Sequence, residues 1–219
     1  MRDYEISHPG VTVNLNFAGS QILRTQLEQG AIANVFASAD HKNMDLLLGE
    51  NLIDAKSCQD FATNQLVVIF PHSNPGNFHD LIDLAKPGIK LVLADESVPA
   101  GNYARQVLLK MSQGQQYGEN FGDQVLANMV SNETDVKQVV TKVELGEADA
   151  GIVYTSDAVA APDLGTITIP DRYNVIARYP IAIPNSTNEP ALAADFIPYV
   201  ISTDGQATLA KWSFSEALH

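Results

Sequence analysis

The run Val11-Thr12-Val13-Asn14-Leu15-Asn16-Phe17-Ala18-Gly19-Ser20 decides how this chain reads. Apolar and polar residues alternate over residues 11–17, the period of a half-buried strand. Ala18 and Gly19 suit a tight turn, and Ser20 heads a helix predicted over residues 21–29 and stopped by Gly30. A strand, a small-residue turn and a helix led by serine can bind an anion. The first-turn N–H groups lack partners inside the helix, and the helix dipole places partial positive charge there. Taken alone, Ser20 also reads as an ordinary N-cap.

Strand patterns continue at residues 34–37, 65–70, 89–94, 129–131, 150–154, 166–169 and 173–177, with an extended apolar stretch at 179–183. Helical patterns fall between them. Residues 1–8 end at Pro9-Gly10. Asp40 caps a helix that ends at Gly49. Others follow at 81–85, 102–111, 124–128, 136–145, 155–160, 190–201 and 203–212. This alternation predicts an α/β fold with mainly parallel sheets covered by helices. Residues 65–70 and 179–183 would carry the chain between two lobes. Lobe 1 is then 1–64 and 181–219, lobe 2 is 65–180, and the C-terminal helices pack back on lobe 1.

The chain has 219 residues, 45% of them hydrophobic and 18% charged, enough for a substantial core. Its net charge of −13 argues against nucleic acid as a partner, for which a basic face is expected. Cys58 is the only cysteine, so no intrachain disulfide forms. His8, His41, His72, His79 and His219 show no metal-ligand spacing. No apolar run has the length of a membrane span, and Met1-Arg2-Asp3-Tyr4-Glu5 leads into no secretory leader; read literally, the chain is cytoplasmic, and read as a fragment it says nothing about compartment. Nucleophile-elbow, zinc-protease, phosphate-loop and dinucleotide motifs are missing, so no enzymatic reaction is predicted.

Three stretches share one design. Ser20, Pro99-Ala100-Gly101 and Thr134-Asp135-Val136 each stand where a helix begins, and Gly151-Ile152-Val153-Tyr154 ends a strand with a phenol. In open α/β sheets, ligands bind beyond the carboxyl ends of strands, where such helix starts gather. Each has a plainer reading: a turn at Pro99, a cap at Asp135, a core side chain at Tyr154.

The chain resembles the molybdate-binding proteins of ABC transporters, type II periplasmic solute-binding proteins. The segments that carry the likeness run in order. They are His8-Pro9-Gly10, Asn16-Phe17-Ala18-Gly19-Ser20, Gln29-Gly30-Ala31 and Val35-Phe36-Ala37-Ser38-Ala39-Asp40. Then come Asp95 with Val98-Pro99-Ala100-Gly101-Asn102-Tyr103-Ala104, Thr134-Asp135-Val136 and Gly151-Ile152-Val153-Tyr154-Thr155-Ser156-Asp157-Ala158. The resemblance implies a tetrahedral oxyanion, molybdate or tungstate, held in a cleft between two lobes without a cofactor or a cation. Its ligands would be the Ser20 hydroxyl and N–H, the backbone N–H of Ala100, the backbone N–H of Val136 and the Tyr154 hydroxyl. It implies delivery to the membrane permease of an ABC importer and a periplasmic or extracytoplasmic place. Alternatives are a sulfate- or phosphate-type binder and the effector domain of a regulator with the same fold. Asn34 stands where the family usually has Asp and is expected to stay off the ligand. The family opens with a strand and a serine-containing turn that also binds the oxyanion, and this chain reads as beginning inside the helix that follows. The expectations are an open lobe 1 sheet edge beside residues 11–17, self-association through it, and weakened binding.

Overall fold

In chain order the backbone forms α1 (Arg2–Ser7), α2 (Ser20–Glu28), β1 (Phe36–Ala37), α3 (His41–Gly49), β2 (Gln59–Asn64), β3 (Leu66–Pro71) and a 3-10 helix (Leu81–Ala85). It continues through β4 (Leu91–Ala94), α4 (Pro99–Ser112), α5 (Phe121–Ala127), β5 (Met129–Glu133), α6 (Val136–Glu144), β6 (Ala150–Tyr154) and α7 (Thr155–Ala160). It closes with β7 (Leu164–Thr168), β8 (Ala177–Ala182), α8 (Pro190–Ile201) and α9 (Thr203–Ala210). This computed structural model describes residues 2–217. Met1, where the predicted opening helix begins, and His219, among the histidines weighed as metal ligands, lie outside them.

Two compact units result. One comprises the chain up to Ala62 with Arg178–Lys211 and the tail from Ser215; the other comprises Thr63–Ala177 with Trp212–Phe214. The expected α/β class holds, with one correction: the sheets are mixed, not mainly parallel. The larger sheet has the order β5-β4-β6-β3-β7. β4 runs parallel to β5 and to β6, whereas β3 runs antiparallel to both β6 and β7. The reason is connectivity. β5 and β6 are each reached through helices, which permit parallel return, whereas β3 follows β2 in the chain with no helix between them and lies against the direction of β6. In the smaller sheet, of order β1-β8-β2, β1 pairs antiparallel with β8.

The near-continuous apolar run of β3 is buried along almost its whole length, as expected of a strand covered on both faces. α3 buries Met44 and Leu47 completely beside Leu27, Phe36, Ile53 and Ala182, and each such side chain contributes about 1.5–3 kcal/mol. Asp40 caps α3 by accepting the Asn43 N–H at 2.9 Å. In the same unit α1 is pinned to α8: the Tyr4 hydroxyl donates to Asp195 at 2.9 Å, and the Tyr4 ring meets Phe196 edge-on at 5.0 Å. Burial, with Asp195 adding to it, pushes the Tyr4 phenol up to about 12.

Two strand expectations fail. Residues 11–17 form no strand. Val13 N–H goes instead to the Glu5 carboxylate at 2.8 Å, and Asn16 donates to Gln26 at 2.8 Å, so the segment is laid along α1 and α2 and enters no ladder. Leu15 is 50% exposed and Phe17 73%. Residues 173–176 also lack strand structure, because the Asn174 amide takes the partners a strand would offer. Its oxygen accepts from Leu66 N–H at 3.1 Å, and its nitrogen donates to Leu66 O at 2.8 Å. Conversely, β2 has no counterpart among the predicted strands; its mixed residues, Gln59-Asp60-Phe61-Ala62-Thr63-Asn64, carry no clean period.

Amide hydrogen exchange checks this description. Amides of residues 11–17 should exchange orders of magnitude faster than those of Leu91–Ala94 and Ala150–Tyr154, which lie inside the larger sheet. Equal protection would show that residues 11–17 are laddered after all.

Candidate functional site

Because β5, β4 and β6 are adjacent and parallel, their carboxyl ends share one edge of the larger sheet. Three of the four sequence-predicted site residues follow from those ends. After β4 comes the turn into α4, whose second residue is Ala100; after β5 comes Asp135 and then Val136, the first residue of α6; Tyr154 is the last residue of β6. The structure therefore brings Ala100, Val136 and Tyr154 to one sheet edge within one unit. Ser20 belongs to the other unit.

Each position has a local cause. Pro99 opens α4 at a place where its missing N–H costs nothing. Gly101 follows because nothing larger fits: a Cβ there would lie 2.1 Å from Asp95 O and 2.3 Å from Ala94 O. Its absence lets the first turn of α4 settle against the end of β4. By position, the Ala100 N–H has no acceptor inside its helix, and neither does the Val136 N–H. Asp135 caps α6 by accepting the Lys137 N–H at 2.7 Å, so its carboxylate serves the helix start, as the sequence suggested. Tyr154 is 5% exposed, and its backbone N–H donates to the Asp157 carboxylate at 3.2 Å.

Ser20 is not the N-cap of its plainer reading. Gly19 is the N-cap of α2, and Ser20 is the first helical residue. Its Oγ is an acceptor for Ala39 N–H at 2.9 Å and so fastens α2 to the entry of α3. A hydroxyl that accepts one bond still has a proton to donate. Asn34 donates to Thr187 at 3.0 Å and to Asn188 at 2.8 Å, which accounts for it within its own unit.

Sequence reasoning passed over the polar groups behind these helix starts. Arg105 stands one turn after Gly101 and donates to Gly101 O at 2.8 Å, to Ala94 O at 3.0 Å and to Asn132 Oδ1 at 3.2 Å. Asn132 in turn donates to Asp95 at 2.7 Å. Hydrogen bonds from Ser97, and then the charge of Arg105, hold the Asp95 carboxyl below its usual range. Buried Glu133 pairs with Lys142 of α6 at 2.7 Å. The one available signal was the i, i+4 spacing of Gly101 and Arg105 on a single helix face. Among the described residues, no group of three His, Cys, Asp or Glu is gathered as for a metal ion.

Asp157 is raised to about 6, chiefly by burial, with nearby Asp135 adding to the rise and the Tyr154 N–H and Lys137 opposing it. Folded, it keeps its proton up to about pH 6; unfolded, an aspartate releases it near pH 4. Folding thus takes up a proton in that window, and this group's contribution to stability falls as pH rises from about 4 to about 6. Urea unfolding of the parent and of Asp157→Asn should show the parent losing stability relative to the variant across that window. A constant difference would mean that Asp157 titrates normally.

Comparison with known proteins follows the same lines. Residues 1–215 match the family model described as bacterial extracellular solute-binding protein. The molybdate-binding protein ModA of Mycobacterium bovis is 36% identical over 97% of this chain and 77% of its own length. Among solved structures, the periplasmic molybdate-binding protein of Azotobacter vinelandii superposes with a TM-score of 0.84 at 21% identity, covering 99% of this chain and 92% of that one. The sulfate-binding protein SubI of Mycobacterium tuberculosis gives 0.87 at 16% identity, covering 99% and 80%. At such identities the two structures speak for the fold alone.

Proposed function

We propose, for a chain that belongs to the bacterial extracellular solute-binding protein family, that it captures molybdate or tungstate and delivers it to the permease of an ABC importer. The oxyanion takes hydrogen bonds from the Ser20 hydroxyl and N–H, from the backbone N–H groups of Ala100 and Val136, and from the Tyr154 hydroxyl. In this reading the lobes are residues 1–64 with 181–219 and residues 65–180, and each contributes donors. The function is binding, without a reaction step, and its place is outside the cytoplasmic membrane.

The observation that carries the reading is the common edge of β5, β4 and β6, where two helix starts and a phenol follow neighbouring parallel strands. Neutral dipoles suffice there. A buried lysine would itself be costly to desolvate, whereas fixed N–H and O–H groups stabilise a doubly charged anion through charge-assisted bonds. The ModA relative supports molybdate over other oxyanions. The expected self-association through a sheet edge beside residues 11–17 loses its basis, because those residues form no strand.

Titration calorimetry with molybdate, tungstate, sulfate and phosphate tests the function. The first two should bind far more tightly than the others. Tyr154→Phe removes one donor to a charged ligand and should weaken binding by about 1.5–3 kcal/mol, roughly ten- to a hundredfold. Ser20→Ala should do the same and also cost about 1 kcal/mol or more of stability, since Ala39 N–H loses its acceptor. Asp135→Asn should leave affinity nearly unchanged. Sulfate binding as tight as molybdate refutes the selectivity, and binding of none of the four refutes the function.

A further inference from the structure

We propose that Arg105 is a positioning residue that holds the Ala100 and Val136 N–H groups at a fixed mutual spacing, and thereby sets oxyanion affinity and selectivity; this rests on the binding reading above. Three backbone ends need to be registered for that spacing to exist: the end of β4, the first turn of α4, and the end of β5 that leads into α6. The Arg105 guanidinium reaches all three. One nitrogen donates to Ala94 O on β4 and to Gly101 O in the first turn of α4, at 3.0 and 2.8 Å. The other donates to Asn132 Oδ1 on β5 at 3.2 Å.

The link to β5 is closed from the other side. Asn132 Nδ2 donates to Asp95 at 2.7 Å, and Asp95 N–H donates to Glu133 O at 2.7 Å. Val136 lies three residues beyond Glu133, and the Asp135 cap fixes the turn between them. A planar guanidinium with five donors in a rigid fork can serve these acceptors at once; a lysine ammonium on a flexible stem cannot. Gly101 adds the reason that a clamp is needed. Its missing Cβ permits close approach of α4 to β4, but permission is not attraction, and the Arg105 guanidinium supplies the tie by joining Ala94 O to Gly101 O. Donors aimed at an anion lose strength quickly when displaced, so a group that fixes their spacing governs a ligand it does not touch.

Two variants test this. Arg105→Lys keeps the charge and loses the fork. Asn132→Ala, at a solvent-exposed position, keeps the Arg105 bonds to β4 and α4 and cuts only the bridge to β5. In ligand-free protein, Arg105→Lys should move the amide NMR resonances of both Ala100 and Val136, and Asn132→Ala should move that of Val136, while Gly165 on β7 stays in place. Calorimetry should show molybdate affinity about tenfold weaker in Arg105→Lys, with a smaller loss in Asn132→Ala and a narrowed ratio of molybdate to sulfate affinity in both. Parental affinity in Arg105→Lys would show that charge alone matters and would overturn the proposal. A lower melting temperature with unmoved Val136 and unchanged affinity would also overturn it, reducing Arg105 to support of the fold. If the parent protein binds no oxyanion, the binding reading falls, and the Ala100 and Val136 resonances then decide the spacing claim alone.

Discussion

The structure depends on the parallel pairing of β4 with β5 on one side and with β6 on the other. Parallel neighbours cannot be joined by a tight turn, so each return passes through helices: α4 and α5 between β4 and β5, and α6 between β5 and β6. That requirement fixes where helices start. α4 and α6 begin just beyond the same sheet edge, and first-turn N–H groups that have no acceptor within their own helix collect there without any residue having been chosen for charge. An acidic protein can in this way present a locally electropositive edge.

The same edge must satisfy its own polar groups. At the end of β5, Glu133 O accepts the Asp95 N–H; at the end of β4, Ala94 O accepts from Arg105, which also donates to Gly101 O of α4, with Asn132 and Asp95 bridging. Buried Glu133 is held by Lys142 and Ser131, which lower its carboxyl below the usual range against the opposing effect of burial. Charged groups removed from water persist only when paired, and here the pairing also anchors α6 to the strand before it.

Much of this was legible in the sequence where local chemistry decides. Asp40, Asp135 and the Pro99-Ala100-Gly101 start each behave as their residue types suggest, and the apolar run of β3 is a buried strand. The failures share a cause. Alternation over residues 11–17 states which side chains would share a face, but a strand also requires a neighbouring ladder, and that neighbour is not encoded locally. The strand direction of β3 was equally hidden, since an apolar run has no sign. The plainer reading of Ser20 as a cap failed because cap preferences are local, whereas the bond its hydroxyl accepts from Ala39 N–H spans 19 residues. Arg105 went unnoticed because each of its acceptors is a backbone or amide oxygen, and a carbonyl leaves no mark in composition.

The discontinuity of the first unit bears on the order in which the protein is made. Tyr4 and Asp195, joined by a hydrogen bond, stand 191 residues apart, and Arg178–Lys211 completes a unit that the N-terminal residues begin. Thr63–Ala177, by contrast, is one uninterrupted stretch that holds nearly all of the second unit. A chain emerging from the ribosome therefore has the second unit available to fold while the first still waits for α8. During that interval Tyr4 lacks Asp195 and Phe196, and Phe36 lacks the strand it pairs with. The N-terminal third is translated first and finished last.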